Sequence, residues 1–331
     1  MSVDLPLVFL ALMGLAILLY VLLDGLDLGI GMLMPAADHG EQELMVASIG
    51  PFWDANETWL VLGIGVLLAA FPVAHGVVLG ALYLPVAAML VGLMLRGVAF
   101  EFRIKALGWH RELWNWLFWF GSFLTSFAQG WMLGRYVTGF ADEPGLAFFS
   151  FLCGASLCGT YVLIGAAWLV LKTESALRRK ALAWARWGLL WTGLALLLVS
   201  VASPLASPRV FERWFDFPRT FGLMLLPCSA LAAGLWIWSA TGRLRRAPHA
   251  SQQDWIPLAG TGLIYVVAFA GLAYSLFPYV VMDRLTIWEA AAHPSSLRVL
   301  LAGFLAVLPF LAAYTAYAHR VFGGKVREPL Y

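Results

Sequence analysis

Charged side chains are scarce in this sequence: Asp, Glu, Lys and Arg make up 12% of its 331 residues, where a soluble domain carries about 25%. That scarcity excludes an ordinary water-soluble globule. The chain also lacks the positive surplus that a nucleic-acid partner demands, since 21 Lys and Arg against 19 Asp and Glu leave a formal net charge of only +2. Cysteine is limited to three. Cys153 and Cys158 sit on one expected helix, about 140° apart around it, and Cys228 falls in another segment, so neither a disulfide nor a Cys-x-x-Cys redox site is indicated. No Gly-x-Gly-x-x-Gly follows a strand pattern, and there is no P-loop or cysteine cluster, which leaves nucleotide and iron–sulfur chemistry without support. Histidine is missing from the places where a buried haem or copper needs it: His39, His75, His110, His249, His293 and His319 all fall in expected loops or at the ends of apolar segments. No metal ligand and no catalytic residue is assigned to this chain.

What the sequence has in abundance is apolar surface, at 62% of residues. A bilayer-crossing helix needs roughly 20 mostly apolar residues, and such segments recur along the whole length with only short polar breaks. The expected fold is all-α: one polytopic membrane domain over 1–331, with nine spans at about 6–34, 53–72, 75–101, 112–136, 146–171, 182–203, 219–241, 257–280 and 297–319. The first segment lacks a basic leader and carries two acids, so it is expected to be a retained span, with the mature chain starting near Met1. An odd number of spans puts the termini on opposite sides. Arg103, Lys105, Arg111, Lys172, Arg178, Arg179, Lys180, Arg243, Arg245, Arg246, Arg320, Lys325 and Arg327 gather on one side, and Arg135, Arg209, Arg213, Arg219, Arg284 and Arg298 on the other. The excess marks the first side as cytoplasmic, with the N-terminus outside, in the periplasm, and the C-terminus inside. One loop breaks the pattern: residues 35–52 belong on the cytoplasmic side yet contain three acids and no Lys or Arg. Sixteen Trp, including Trp109, Trp114, Trp116 and Trp131 near span ends, fit interfacial belts. Gly25-x-x-x-Gly29 and Gly63-x-Gly65 are small-residue patterns that let helices approach closely.

Against this background two acids stand out in "LLYVLLDGLDLGIGML". Asp24 and Asp27 lie three apart and so share a helix face. Each ionised group at mid-membrane costs about 2.5–3.5 kcal/mol on insertion scales, about 5–7 for the pair. Span 2 opens with "GPFWDANETW", where Asp54 and Glu57 repeat the spacing, and span 3 ends with "LMLRGVAFEFR", which brings Arg96 and Glu101 to the same level. A carboxyl group balanced between burial and a nearby cation can take up and release a proton, which is what a relay requires. The plainer alternative is that these groups pair only to pin three helices together, although buried ion pairs are an inefficient means of packing. "AADHGEQE" is either a solvated acidic turn or a funnel for incoming protons. Two functional classes remain: a proton-conducting scaffold subunit whose electron chemistry lies in a partner, and a proton-coupled secondary transporter. A transporter is expected to repeat its polar groups in both halves, and here the buried acids are confined to the first third.

The stretches "DGLDLGIGML", "GPFWDANETWLV", "LRGVAFEFR", "LTIWEAAAHPSSLR" and "FGGKV", in this order and spacing, resemble subunit II of the cytochrome bd-type quinol oxidases, closest to the cyanide-insensitive branch of bacteria. The resemblance runs from the first span to the last loop. It implies a nine-helix subunit of an inner-membrane complex that oxidises ubiquinol and reduces dioxygen to water. Two b-type haems and one d-type haem are then held by subunit I, which shares the fold through a pseudo-twofold relation. It further implies proton delivery from the cytoplasm, membrane lipids, in some members a structural ubiquinone, and a possible small single-span accessory subunit; no quinone-binding residue is assigned. By the same resemblance Asp24 and Asp27 match the family's span 1 pair, and Asp54 its W-[D/E]-x-N carboxylate, with Trp53 and Asn56 in support. Arg96 and Glu101 match the basic and acidic positions that end span 3. The implied proton path enters near Asp54 and Glu57 and passes Asp24, Asp27 and Arg96. Two departures are visible: the first cytoplasmic loop lacks the basic residues that family members often carry, and Asp54 stands where other branches have Glu. For "LTIWEAAAHPSSLR" no chemistry is assigned; capping by Ser295 and contact with subunit I are both open.

Overall fold

The computed structural model describes residues 4–246 and 251–326. His249 and Arg327, counted above, lie outside the described residues, as does the side chain of Arg219. In a bilayer no water is available to satisfy bare backbone groups, so an apolar chain of this kind must close its hydrogen bonds within helices.

Helix α1 (Leu5–Leu33) starts at Asp4, whose carboxylate accepts the Leu7 N–H at 3.3 Å, with a proline in the first turn. A short 3-10 turn leads to α2 (His39–Ile49), where Asp38 and Glu41 cap the helix reciprocally. Helix α3 (Trp53–Ala70) stops at Phe71, which sits at φ −130°, ψ 58°, because the ring of Pro72 disfavours a helical residue before it. Next come α4 (Pro72–Ala81), α5 (Tyr83–Lys105), α6 (Trp109–Val137), α7 (Pro144–Lys172) and α8 (Ser175–Ala206). Two short helices, α9 (Pro208–Trp214) and α10 (Arg219–Leu223), precede α11 (Leu225–Leu244) and α12 (Ile256–Leu276). An antiparallel hairpin of β1 (Tyr279–Val281) and β2 (Leu285–Thr286) then leads through α13 (Ile287–Ala290) to α14 (Pro294–Val321).

Seven of the nine expected spans fall on helices long and apolar enough to cross a membrane: α1, α5, α7, α8, α11 with the residues just before it, α12 and α14. The other two fall on α3 and α6, which have 18 and 29 residues but are more polar. Three local expectations are corrected. The third span does not run unbroken from 75 to 101, because the chain leaves helical geometry at Leu82 (φ −103°, ψ 16°) and α4 stands apart from α5. The stretch 35–52, expected to be a loop, is mostly the helix α2. The eighth span ends at Leu276 rather than 280, since Phe277 precedes Pro278 and turns extended, and the hairpin beyond it departs from a purely α fold.

Helix α1 is the hub: it packs against α3, α6, α7, α12 and α14. Two crossings depend on missing side chains. A Cβ on Gly29 would lie 1.9 Å from the Tyr161 carbonyl oxygen, and one on Gly165 only 2.6 Å from the Gly29 carbonyl carbon, so α1 and α7 meet backbone to backbone. At Gly92 and Gly121 α5 and α6 do the same, the Gly121 position lying 2.8 Å from the Arg96 backbone nitrogen. At the other end of α1, Phe9, Phe71, Val280, Val281, Ile287 and Leu297 form a separate apolar cluster that closes that end of the bundle. Overpacking a tight site costs about 1–3 kcal/mol or more. Gly29→Ala is therefore expected to lower folded yield and the thermal midpoint of the purified protein, whereas Gly65→Ala, whose added carbon meets nothing within 4 Å, leaves both unchanged.

Candidate functional site

Asp24 and Asp27 lie on one face of α1 with 0% and 2% exposure, and α5 brings Arg96, 1% exposed, against them. Arg96 Nη1 donates to Asp24 Oδ1 at 2.6 Å, and its Nη2 donates to Glu57 Oε1 on α3. Asn56, one residue earlier on α3, donates from Nδ2 to Asp27 Oδ2 at 2.9 Å and to the Leu23 carbonyl at 3.3 Å. Two carboxyl groups from two helices thus share one guanidinium supplied by a third, and the Asp27 carboxyl joins them through Asn56. The group is neutral when two of the three carboxyls are protonated, and every proton lost adds a buried negative charge. Asp24 Oδ2 and Arg96 Nε have no hydrogen-bond partner among the described residues, and burying such atoms bare is costly.

The structure brings together Asp24, Asp27, Asn56, Glu57 and Arg96. Two other expected members stand outside. Asp54, in the first turn of α3, is exposed, one turn from Glu57 on the same helix face. Glu101 is exposed too, because five residues of helix carry it about 140° around α5 from Arg96; at the C-terminal end of α5 it is Arg103 that turns inward. Trp53 stacks at 4.9 Å on Phe100, covering the join between α3 and α5.

Below this group lies a second polar layer that the sequence reading missed. Arg103 donates from Nε to Asn115 Oδ1 at 2.9 Å and pairs with Glu43 at 2.7 Å, and Arg111 also pairs with Glu43. Asn115 in turn donates to Gln42 Oε1 at 2.9 Å, and Gln42 donates to the Met34 carbonyl at 3.1 Å. Lys180 bridges Glu41 at 2.5 Å and Asp38 at 3.6 Å. The Glu41 backbone N–H, followed by the Lys180 charge, holds the Asp38 carboxyl below its ordinary range. The three acids of the loop that lacks cations are thus matched by Arg103, Arg111 and Lys180 from neighbouring segments. The signal was available: Asp38-x-x-Glu41 is a capping-box pattern, and Gln42 and Asn115 are polar residues flanking apolar runs.

A third junction ties down "FGGKV". Lys325 donates to Asp254 Oδ2 at 2.8 Å and to the Val170 and Thr173 carbonyls at 3.1 Å each. Arg178 donates to Asp254 Oδ1 at 2.6 Å, Lys172 donates to the Phe322 carbonyl, and the Val326 N–H reaches the Lys172 carbonyl at 2.8 Å. Burial alone would raise the Asp254 carboxyl, but hydrogen bonds from Arg178 and Lys325 outweigh it and hold the group below its ordinary range. On the outer side "LTIWEAAAHPSSLR" supplies its own caps. Thr286 and Glu289 cap α13 reciprocally, and the N-cap of α14 is His293, which accepts the Ser295 N–H at 3.4 Å, so Ser295 is not itself the cap. Trp288 Nε1 donates to Asp4 at 3.1 Å and joins this loop to the start of α1.

Comparison with known proteins adds an independent line. The sequence profile of the family described as cytochrome bd terminal oxidase subunit II matches residues 5–322. This chain belongs to the subunit II family of cytochrome bd terminal oxidases. It is 28% identical over 331 residues to cytochrome bd ubiquinol oxidase subunit 2 of Bacillus subtilis, covering 93% of each chain. It is 26% identical over 367 residues to cytochrome bd-I ubiquinol oxidase subunit 2 of Escherichia coli K12, covering 96% of this chain and 94% of that one. Its fold matches a chain of the bd oxidase from Geobacillus thermodenitrificans with a TM-score of 0.77 at 19% identity, covering 97% and 99%. None of these comparisons supports the transporter reading.

Within this family the haem question can be put to the side chains. Among the described residues no three His, Cys, Asp or Glu gather to hold a metal ion. His319, the histidine that reaches furthest into the packed interior, stacks on Phe52 at 4.5 Å and places Nδ1 2.9 Å from the Thr315 carbonyl oxygen. Such an Nδ1–carbonyl bond also orients histidines that do bind metals, so the reading that the haems belong to the partner subunit rests on the family and not on this ring.

Removing one member of a buried charge pair costs about 3–5 kcal/mol, because its partner is left uncompensated. Arg96→Gln is expected to abolish or strongly reduce assembled complex, measured as membrane haem content and thermal midpoint. The Lys325–Asp254 junction predicts a pH effect. A carboxyl with a depressed folded pKa contributes stability that is present above its unfolded value of about 3.9 and is lost as pH falls through the folded value. Hydrogen-exchange protection of residues 322–326 is expected to be constant from about pH 5 to 8 and to fall below about pH 4, and Lys325→Met should remove it at all pH values.

Proposed function

We propose that the chain serves as subunit II of a ubiquinol-oxidising, dioxygen-reducing complex of the bacterial inner membrane, where it supports assembly of the haem-bearing subunit I and feeds it protons from the cytoplasm. The observation that carries this reading is the buried Arg96 bridging Asp24 and Glu57, with Asp27 one turn along α1. A cluster that changes charge with each proton bound, placed where charge is costly, is what a relay requires and is a poor device for packing. The family and the ubiquinol oxidase names of the relatives supply the reaction: quinol gives up electrons and protons, and oxygen takes up both. Electrons remain with the two b-type haems and the d-type haem of subunit I.

The proton route runs from Asp54 at the exposed start of α3, through Glu57, whose side chain is 29% exposed, to Arg96, Asp24 and Asp27. All nine long helices cross the bilayer in this arrangement, with the N-terminus periplasmic and the C-terminus cytoplasmic. Support for that orientation comes from the inner loops, whose cations Arg103, Arg111, Lys180 and Lys325 meet the acids Asp38, Glu41, Glu43 and Asp254 on one side. Subunit I docks along α3 and α14, which contact one another and expose Val61, Leu68, Leu305, Phe310, Tyr314 and Tyr317. A structural ubiquinone finds room for its tail in a groove of about 520 Å³ between α6, α7 and α8, floored by Gly159 and walled by Phe123, Phe127, Phe151 and Trp191.

Because Asp54 is exposed, its replacement disturbs no buried partner. Asp54→Asn is expected to slow quinol-driven oxygen consumption about tenfold, about 1.4 kcal/mol in barrier height, with haem content per complex unchanged. Normal turnover in an intact complex would remove Asp54 from the route, and normal turnover in Glu57→Gln as well would favour helix pinning over proton delivery.

A further inference from the structure

Three polar side chains deep in the bundle have no place in the route just described. Gln129 on α6 donates from Nε2 to the Tyr20 hydroxyl at 2.6 Å, and its Oε1 accepts the Tyr161 hydroxyl, also at 2.6 Å. Tyr20 and Tyr161 are fully buried and come from α1 and α7. Tyr20 lies one helical turn from Asp24, with its hydroxyl beside that carboxyl.

The donors and acceptors of this row can be counted. A tyrosine hydroxyl has one hydrogen to give, and an amide has a donating and an accepting end. Tyr161 spends its hydrogen on Gln129, which turns the amide NH₂ toward Tyr20. Tyr20 accepts from Gln129, so its own hydrogen is left over. The neighbouring acceptor is Asp24, whose Oδ2 has no hydrogen-bond partner; the step from Tyr20 to Asp24 is the one link of the row that the structure leaves unclosed. Reversing the amide would spend the Tyr20 hydrogen on Gln129 and take from the Tyr161 hydrogen its present acceptor, so only the observed direction leaves a hydrogen free for Asp24.

We infer that Tyr161, Gln129 and Tyr20 form an aligned donor chain that positions and polarises Asp24, the proton-carrying carboxyl of the proposed route. No bond is broken and no proton is transferred along it; the chain acts through Asp24, and hydrogen bonds in series strengthen one another in a low-dielectric interior. Gly25 is part of the device. A Cβ there would lie 2.6 Å from the Tyr161 ring, so the glycine beside Asp24 is what lets Tyr161 come close enough to reach Gln129. On its far side Tyr161 stacks against Tyr265 at 6.3 Å, which fixes the ring in place.

The inference rests on the proton-delivery reading, and the two can fail separately. In the purified complex labelled with carbon-13 aspartate, the infrared carboxyl band of Asp24 is identified as the one displaced by Asp24→Glu. Tyr161→Phe removes a single oxygen on the neighbouring helix α7, with Gln129 and Tyr20 between it and Asp24 in the row, and it is expected to shift that band and to slow oxygen consumption about threefold with unchanged haem content. Tyr20→Phe, which removes the last donor, should shift the band further and slow turnover about tenfold. A band unmoved in Tyr161→Phe, or no aspartate band displaced by Asp24→Glu, overturns the chain even if Asp54→Asn is slow. A shifted band together with wild-type turnover in Asp54→Asn, Glu57→Gln and both tyrosine variants leaves the chain standing and overturns the proton route instead.

Discussion

One guanidinium governs the inner architecture of this subunit. Arg96 is withdrawn from water and holds carboxylates from two other helices, so α1, α3 and α5 must all reach the same depth with little freedom to slide. Such a group is not a source of stability in itself, since the desolvation of its ions offsets most of their attraction. The surrounding packing holds it in place. At Gly92 and Gly121 the backbones of α5 and α6 touch right beside Arg96, and at Gly29 and Gly165 those of α1 and α7 touch one turn beyond Asp24. Backbone contact is stiffer than side-chain contact, and it sets where the charge can sit.

Around that centre the polar residues fall into layers. The buried acids occupy the interior of the bundle, the Arg103, Asn115 and Gln42 bonds form the next layer, and Lys180 and Lys325 pair with acids of other segments. Each layer joins segments far apart in the chain: Glu43 meets Arg103 and Arg111, while Asp254 meets Arg178 and Lys325. Such links satisfy groups that would otherwise face lipid or bare backbone, and they make the inner loops one connected surface. The outer end is built differently. There apolar side chains and self-capped turns, from Phe9 to Leu297, do most of the work.

Much of this was legible in the residues. Hydrophobic length located the crossing helices, because a bilayer imposes it directly. The i, i+3 pair of Asp24 and Asp27 and the later Glu57 and Arg96 announced a buried group, since charge in an apolar run is too costly to be accidental. Helical phase was harder to judge by eye: Glu101 stands near Arg96 in sequence but a third of a turn and more away in space, while Arg103 turns inward. The break at Leu82 is marked only from a distance, by Pro85, which has no N–H to offer the Ala81 carbonyl. Tyr20 and Tyr161 carry no local pattern that singles them out, and only the position of Gln129 between them reveals their hydroxyls as partners. Long-range links such as Lys325 to Asp254 leave no local pattern in the chain and are visible only in three dimensions.

The Lys325 junction has a consequence for biogenesis. Asp254 and Arg178 are both synthesised well before Lys325, so their pair can form while later segments are still being made. Lys325 follows α14, and its ammonium can reach Asp254 only after that last helix has been threaded into the bilayer in the correct direction. The junction therefore closes last: a chain whose α14 is out of place would leave the turn between α7 and α8 without the Lys325 bonds to Val170, Thr173 and Asp254.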